Sequence, residues 1–323
     1  KLYSSIRDKF KLNKKNWENF LNDLVLNAEY LNLILNGSFD DILLFFKNDR
    51  SEAIKVYNSL RVLRSTKAKT WIILYLCLFR NLDSQEKETN IPFQLSNRWE
   101  IIQKFTFLYF QILSLPGNWY FKLVSDFCKK IEDGVENKKQ KNHFVEIFTK
   151  NLYAEFKTKM PTFDNFNDGF KTIEYKEDQK SRIIIRYVLN EFEEKIGGNK
   201  NEGYNEEKVS IEHILPRDPR QWKVSKKLIK QYVNTLGNLT IISKVTNGKL
   251  ENKIISDKIK IIKENGSTIK LVNELVDNIE NKEWDFDKIR TAKDFEAIEK
   301  RLDYLSRKAY EIWNDDLKKK MGI

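Results

Sequence analysis

The sequence contains few of the residues that build zinc sites and disulfide frameworks. Its 323 residues include two cysteines, Cys77 and Cys128, and two histidines, His143 and His213. The cysteines stand alone, without CxxC spacing or a neighbouring histidine, which argues against zinc ligation and against a disulfide framework. A reduced, cytoplasmic compartment fits this cysteine usage better.

Long apolar runs are also absent. The strongest run, WIILYLCLF at 71–79, is about nine residues long, roughly half of what a bilayer span requires. It therefore predicts a buried helix, and we expect no membrane partner. Methionine is scarce too, occurring at Met160 and Met321, and the chain begins at Lys1. We therefore expect the chain to be a fragment of a longer protein.

The sequence has positive charge in excess. Hydrophobic residues make up 41% and aromatic residues 13%, which indicates a packed globular protein. The formal net charge is +11, and between Lys208 and Lys270 fourteen Lys and Arg residues stand against five Asp and Glu. A local excess of this kind is what a phosphate-binding surface requires. A face of solvated lysines without a partner is the alternative.

The first half of the chain has the periodicity of successive helices. Apolar residues at steps of four and three predict a first helix from about Trp17 to the Asn36–Gly37 pair. Pro161 and the polar run DNFNDG predict a domain boundary near residue 160. His143 has no ligand spacing to any other residue and is interpreted as structural. Further helices are predicted at 51–64, 67–82, 99–114, 119–133, 142–158 and 180–195.

From residue 208 the pattern changes to short strands. KVSIEHILP at 208–216 and LGNLTIIS at 236–243 predict two strands joined by a long connection. The segment TNGKLENKIISDKIKIIK then has helical spacing through Leu250 and Ile259, and a final helix is predicted at 291–315. The coarse order is therefore strand, long connection, strand, helix.

The pair Glu212–His213 lies at the end of the first predicted strand. Hydrolysis of a phosphodiester needs a base for water, a cation for the phosphate charge and a group that aims the base. Histidine suits the base because it is mostly neutral at cellular pH, and a carboxylate suits a hard cation such as Mg²⁺. Successive strand residues point to opposite faces, so the pair serves one site only if the strand end twists or a helix packs across it. A charged pair that faces solvent is the alternative.

The spacing of IEHILP, a tryptophan, LGNLTII and later Asn and Lys positions resembles the HNH, or His-Me finger, nucleases. More narrowly, it is similar to the C-terminal nuclease domain of GmrSD-type restriction endonucleases. RYVLNEFE at 186–193 resembles the helix that precedes the motif in that family, and IEKRLDYLSRKAYEIW at 298–313 is similar to its closing helix. The resemblance extends over residues 182–313 and is looser for the helical half before them.

The resemblance implies a role for each matched residue. His213 matches the general base, and Glu212 matches an acidic metal ligand. Asn238 matches the catalytic-site asparagine that braces the finger and helps to orient the histidine. Asn247 matches the residue that completes the metal site, and Asn252 falls on a later position of the pattern. One divalent ion, Mg²⁺ or Mn²⁺, and no other cofactor is implied. The candidate contacts to DNA phosphates are Arg217, Lys249, Lys253 and Lys258.

The implied fold is mostly α-helical with a small ββα-metal finger embedded in it. A helical connector would occupy residues 1–160, and an α+β nuclease domain residues 161–323, with the finger at 208–262 and a closing C-terminal helix. The implied activity is metal-dependent hydrolysis of DNA, as an endonuclease or nickase, in the restriction of phage DNA.

The expected partners are duplex DNA and a further domain of the same protein. In the family an N-terminal NTPase domain with a DGQQR-like motif is tied to sensing modified DNA, and this sequence contains no such motif. We therefore expect that sensor domain to be missing from this chain. A catalytically silent DNA-binding module and an RNase effector are the alternative functions, and the oligomeric state is left open.

Overall fold

The computed structural model of the chain describes residues 14–85, 92–136, 148–199 and 205–322. These residues are mostly helical, with one two-stranded sheet among them, as the sequence predicts. They form two compact units. The first lies within Lys1–Arg64, Ala68–Gln103 and Pro116–Glu155, and the second within Ser65–Lys67, Lys104–Leu115 and Phe156–Ile323. The assignment of 1–160 and 161–323 to separate domains stays a prediction.

The helices that precede residue 160 follow one another closely along the chain. A π-helical turn at Leu108–Ile112 extends the fifth helix, and another at Phe148–Tyr153 leads into the seventh. The predicted helix at 142–158 begins at residues outside the described ranges. The helices are α1 Lys14–Asn36, α2 Phe39–Phe45, α3 Arg50–Ser65, α4 Trp71–Gln85, α5 Pro92–Phe107, α6 Gly117–Glu136 and α7 Ala154–Lys157.

Helix α1 ends where the Asn-Gly pair predicts, and Arg64 of α3 closes that end. The guanidinium donates hydrogen bonds to the backbone oxygens of Leu33, Ile34 and Gly37 at 2.8, 2.8 and 2.9 Å. The last carbonyls of a helix have no partner within the helix, so these bonds satisfy them. A side chain at Gly37 would place its Cβ 2.5 Å from the Leu33 oxygen, which explains the glycine.

The second unit contains the sheet. Strands β1, Val209–His213, and β2, Leu239–Ser243, are antiparallel, with Val209 opposite Ser243 and His213 opposite Leu239. Helices α9 and α13 contact β2, and α11 contacts both strands. The helices of this part are α8 Phe163–Lys171, α9 Gln179–Lys195, α10 Lys226–Ile229, α11 Lys244–Leu250, α12 Ile255–Asn265, α13 Lys270–Glu280, α14 Asp287–Ala292, α15 Glu296–Tyr310 and α16 Asp316–Met321.

Two predicted helices are interrupted or shortened. The segment after β2 forms two helices because Glu251, with φ of 45°, breaks the α-helical path between α11 and α12. The indole Nε1 of Trp222 donates to the Lys253 oxygen at 2.9 Å and holds this break in place. The last long helix begins at Glu296 rather than at 291, because Lys293 adopts a left-handed conformation that ends α14.

Helix α15 is fixed to the turn that enters β2. Nη1 of the buried Arg301 donates to the backbone oxygens of Leu236, Gly237 and Leu239 at 3.1, 2.9 and 2.8 Å. A Cβ at Gly237 would lie 2.3 Å from the Ile298 oxygen of α15. The glycine of LGNL therefore permits the close approach of the helix, and the arginine stabilises it.

Candidate active site

Strand β1 presents alternate side chains to the two faces of the hairpin. Ser210 and Glu212 lie on one face, and Ile211 and His213 lie on the other. Beyond the strand, the Ile214 amide donates to the Asn238 oxygen at 2.9 Å, which keeps the strand end in place. The carboxylate and the imidazole of the Glu-His pair therefore have different neighbours.

The carboxylate of Glu212 forms a buried ion pair with Lys258 of α12. Lys258 Nζ donates to Glu212 Oε1 at 2.5 Å, to the His213 oxygen at 2.8 Å and to the Ile214 oxygen at 3.0 Å. These three acceptors use all three donors of an ammonium group. Burial raises the pKa of Glu212 and lowers the pKa of Lys258, and their mutual attraction opposes both shifts. Lys258 thus connects α12 to the carboxylate and to the backbone on either side of the strand end.

The imidazole of His213 faces the segment between α8 and α9 and the segment before LGNL. Its Nε2 lies 3.3 Å from Oδ1 of Asn234. The Tyr175 ring meets the imidazole edge to face, with centroids 5.0 Å apart. The Tyr175 amide donates to the Asn234 backbone oxygen at 2.8 Å, so the two segments that contact the imidazole are also hydrogen-bonded to each other.

His213 is kept neutral by its surroundings. Burial is the largest cause that lowers its pKa to about 4, and the positive charges of Arg217 and Lys258 act in the same direction. The hydrogen bond to Asn234 opposes the shift. At cellular pH the ring is therefore unprotonated and can accept a proton, as a general base must.

Asn238 braces the backbone around the strand end. Its Oδ1 accepts from the Leu215 amide at 2.7 Å, and its Nδ2 donates to the oxygens of Leu215 and Val233 at 2.9 and 2.8 Å. The side chain is fully buried. These bonds reach the backbone of Leu215 and Val233 and not the imidazole, which is bonded to Asn234.

Asn247 lies on the Glu212 face of the hairpin. Its Nδ2 donates to Ser210 Oγ at 2.7 Å, and Ser210 shares that face with Glu212. Its amide oxygen is thus a candidate metal ligand on the same side of the sheet as Glu212. Within the described residues there is no cluster of three His, Cys, Asp or Glu side chains suited to a metal ion.

This donor set fits a Mg²⁺ or Mn²⁺ ion of the kind that keeps most of its water. Such ions take one or two protein oxygens and complete their coordination with water and substrate phosphate. Lys258 contacts Oε1 of Glu212, and a hydrogen bond from the His213 backbone also reaches this carboxylate. The positive charge of Lys258 weakens the attraction of Glu212 for such a cation.

The predicted phosphate contacts occupy different environments. The Arg217 side chain is 51% exposed and pairs with Glu177 at 2.5 Å, and its guanidinium lies 5.7 Å from the centre of the Tyr175 ring. Lys249 is exposed, and Lys253 is partly buried. Lys258, with a side chain 2% exposed, does not reach the surface where a phosphate would bind, so we do not propose it as a DNA contact.

Three residues of the site carry no local signal in the sequence. Tyr175 and Glu177 follow α8, and Asn234 lies in the connection between the strands. An isolated bridge between Glu174 and Thr235 brings these two segments together beside His213. Contacts of this kind depend on tertiary structure, and neither periodicity nor motif spacing predicts them.

Comparison with known proteins finds one family whose model matches part of the chain. Residues 160–295 match the model of the C-terminal domain of the GmrSD restriction endonucleases. This part of the chain is therefore similar to a C-terminal domain of the GmrSD type, as the IEHILP and LGNL motifs predict. No curated protein and no solved structure matches the chain. Among the described residues, no helix is long and apolar enough to cross a membrane.

Proposed function

We propose that this domain is an HNH-type, metal-dependent DNA endonuclease or nickase, with His213 as its general base. The observation that supports this most strongly is the state of His213. Its imidazole is held at the end of β1 beside Asn234, burial lowers its pKa, and the surrounding segment matches the model of a restriction endonuclease domain. The two strands followed by α11 correspond in order to a ββα finger.

Each residue has a distinct task in this proposal. His213 takes a proton from the attacking water, because a neutral imidazole is the base available there at cellular pH. Asn238 holds the backbone that carries His213. Glu212 and Asn247 would hold the divalent ion. The bound ion supplies positive charge for the phosphate and the leaving oxygen.

Duplex DNA is the proposed substrate, and restriction of phage DNA is the proposed role. The excess of positive charge between Lys208 and Lys270 supports binding to a polyanion. Arg217 is an exposed cation beside the imidazole, since it packs on Tyr175, which touches His213. Sensing of modified DNA would belong to an NTPase domain elsewhere in the same protein.

One observation favours the alternative of a silent DNA-binding module. Glu212 already has a counter-ion in Lys258 at 2.5 Å, and a carboxylate neutralised in this way attracts a metal ion less strongly. A domain that kept the fold and lost its metal would still bind DNA through its exposed cations.

Incubation of the purified chain with supercoiled plasmid, in Mg²⁺, in Mn²⁺ or in EDTA, separates these functions. We expect nicked circles with metal and intact plasmid in EDTA. Plasmid that is retarded on a gel but uncut under all three conditions supports the silent module. In parallel reactions with RNA, degradation of the RNA while the plasmid stays intact supports an RNase.

A further inference from the structure

We propose that Asn234 is the positioning residue of His213. Its carboxamide oxygen fixes the orientation and the tautomer of the imidazole, and Nδ1 is then the nitrogen that accepts the proton. The last step rests on the proposed function, because it takes His213 to be the base. The orientation and the tautomer of the ring depend on the folded chain alone, so Asn234 sets them in a catalytically silent domain as well.

The backbone around Asn234 is fixed on both sides. The Val233 oxygen accepts from Asn238 Nδ2, and the Asn234 oxygen accepts from the Tyr175 amide, both at 2.8 Å. Thr235 pairs with Glu174 in an isolated bridge. The side chain of Asn234 therefore projects from a segment whose position is determined by three separate contacts.

The two asparagines divide the tasks that the resemblance gives to Asn238 alone. Asn238 bonds to backbone groups of residues 215 and 233. Asn234 bonds to the imidazole at Nε2, 3.3 Å away. Bracing the strand end and orienting the base are thus performed by neighbouring side chains of one segment.

The identity of the bonding atom determines the tautomer. A carboxamide oxygen only accepts hydrogen bonds, so the Nε2 that faces it must carry the hydrogen. A neutral imidazole has one N–H, which leaves the lone pair on Nδ1. Within the described residues, Asn234 is the hydrogen-bond partner of the ring, so Nδ1 is available to water.

Nitrogen NMR of the imidazole tests the tautomer without reference to activity. The chain has two histidines, so His143→Gln leaves a single ¹⁵N-labelled histidine to observe at about pH 8.5, where even a histidine with the ordinary pKa of about 6.5 is unprotonated. We expect a pyrrole-like Nε2 and a pyridine-like Nδ1, with little averaging between them. A pyridine-like Nε2 would show that the amide is turned the other way, and it would overturn the proposal.

Two substitutions of nearly equal size separate the oxygen from the packing. Asn234→Leu removes the acceptor, and Asn234→Asp keeps an oxygen at the same place. We expect tautomer averaging in the leucine variant and the wild-type tautomer in the aspartate variant. Equal spectra for wild type and Asn234→Leu, with thermal unfolding that shows both are folded, would overturn the positioning role.

Kinetics connects the tautomer to catalysis. Loss of the partner that orients a metal-bound histidine typically costs about 10- to 100-fold in activity, and we expect a similar cost for a histidine that acts as a base. We expect Asn234→Leu to lower kcat for nicking by about that factor with little change in DNA affinity, and Asn234→Asp to restore part of it. A changed tautomer with unchanged kcat refutes His213 as the base and leaves the positioning role intact. An unchanged tautomer refutes the positioning role whatever the rate.

Discussion

Lys258 and Glu212 form a buried ion pair of 2.5 Å at the point where β1 ends. The same ammonium binds two backbone oxygens, so one side chain of α12 fixes both the carboxylate and the chain that follows it. Breaking a buried pair leaves one charge without compensation, which typically destabilises a protein by about 3–5 kcal/mol. The pair therefore stabilises the fold, whether or not Glu212 also takes part in catalysis.

Lys258→Met tests this contribution. The methionine keeps most of the side-chain volume but leaves Glu212 and two carbonyls without their donor, so we expect a loss of about 3–5 kcal/mol in the free energy of unfolding. Urea titration measures it. Lys260→Met, on the same helix with a side chain 75% exposed, is the matched control and should change little. A Lys258→Met variant as stable as this control refutes the account of the pair.

The double variant Glu212→Gln with Lys258→Met measures the coupling between the two side chains. We expect it to lose less stability than the sum of the two single variants, because a neutral amide no longer needs a cation. Strict additivity of the two losses would mean that the pair contributes no interaction of its own.

Asn238 is the buried amide on which the strand end depends. Asn238→Ala leaves the Leu215 amide and two backbone oxygens without partners, at a cost of about 1–3 kcal/mol for each buried group. We therefore expect a clear fall in thermal unfolding temperature, and a fall in nicking that follows the folded fraction. If the variant keeps the wild-type unfolding temperature, the bracing role is wrong.

Arg217 and Glu177 should affect DNA binding in opposite directions. Glu177→Gln frees the guanidinium from its counter-ion, and an exposed pair of this kind is worth up to about 1 kcal/mol, so DNA affinity should rise by about two- to fivefold. Arg217→Gln should lower the affinity and reduce the slope of log K against log salt by about 0.9. Fluorescence anisotropy with labelled duplex measures both effects.

The control for these variants is Lys122→Gln, which makes the same charge change at an exposed residue of α6. It should leave both affinity and slope close to wild type. Equal losses in Arg217→Gln and Lys122→Gln would assign the effect to net charge and would remove Arg217 from the phosphate-binding surface.

The pH dependence of nicking reports the state of His213. With a pKa lowered to about 4 by burial, the imidazole stays unprotonated as the pH falls from about 8 to about 5.5. A histidine with the ordinary pKa of about 6.5 would lose about tenfold of its unprotonated form over that range. Since a base acts only when unprotonated, we expect kcat/KM to change by less than about twofold. A tenfold fall centred near the ordinary pKa would contradict the burial argument.

Local motifs predicted the strand end that carries the candidate site, and tertiary contacts determine the geometry around it. Glu212 and His213 could be located because IEHILP ends a strand, and a strand end is a local feature. The partner of each side chain could not be predicted from the sequence. Lys258, Asn234 and Tyr175 reach the pair from other segments, brought there by α12, the connection between the strands and the bridge at Glu174. The break at Glu251 was missed because helical spacing continues across it.

The central claim is that His213 is the base of a nuclease, and plasmid nicking by His213→Ala against manganese concentration tests it most directly. The variant keeps the exposed cations and the oxygens of Glu212 and Asn247, so we expect DNA affinity close to wild type. General bases contribute about 10²–10⁴ in rate, so nicking should nearly disappear and no amount of Mn²⁺ should restore it. Asn247→Ala, which weakens the proposed metal site instead, should recover part of its activity at high Mn²⁺. Nicking by His213→Ala at the wild-type rate would contradict the account.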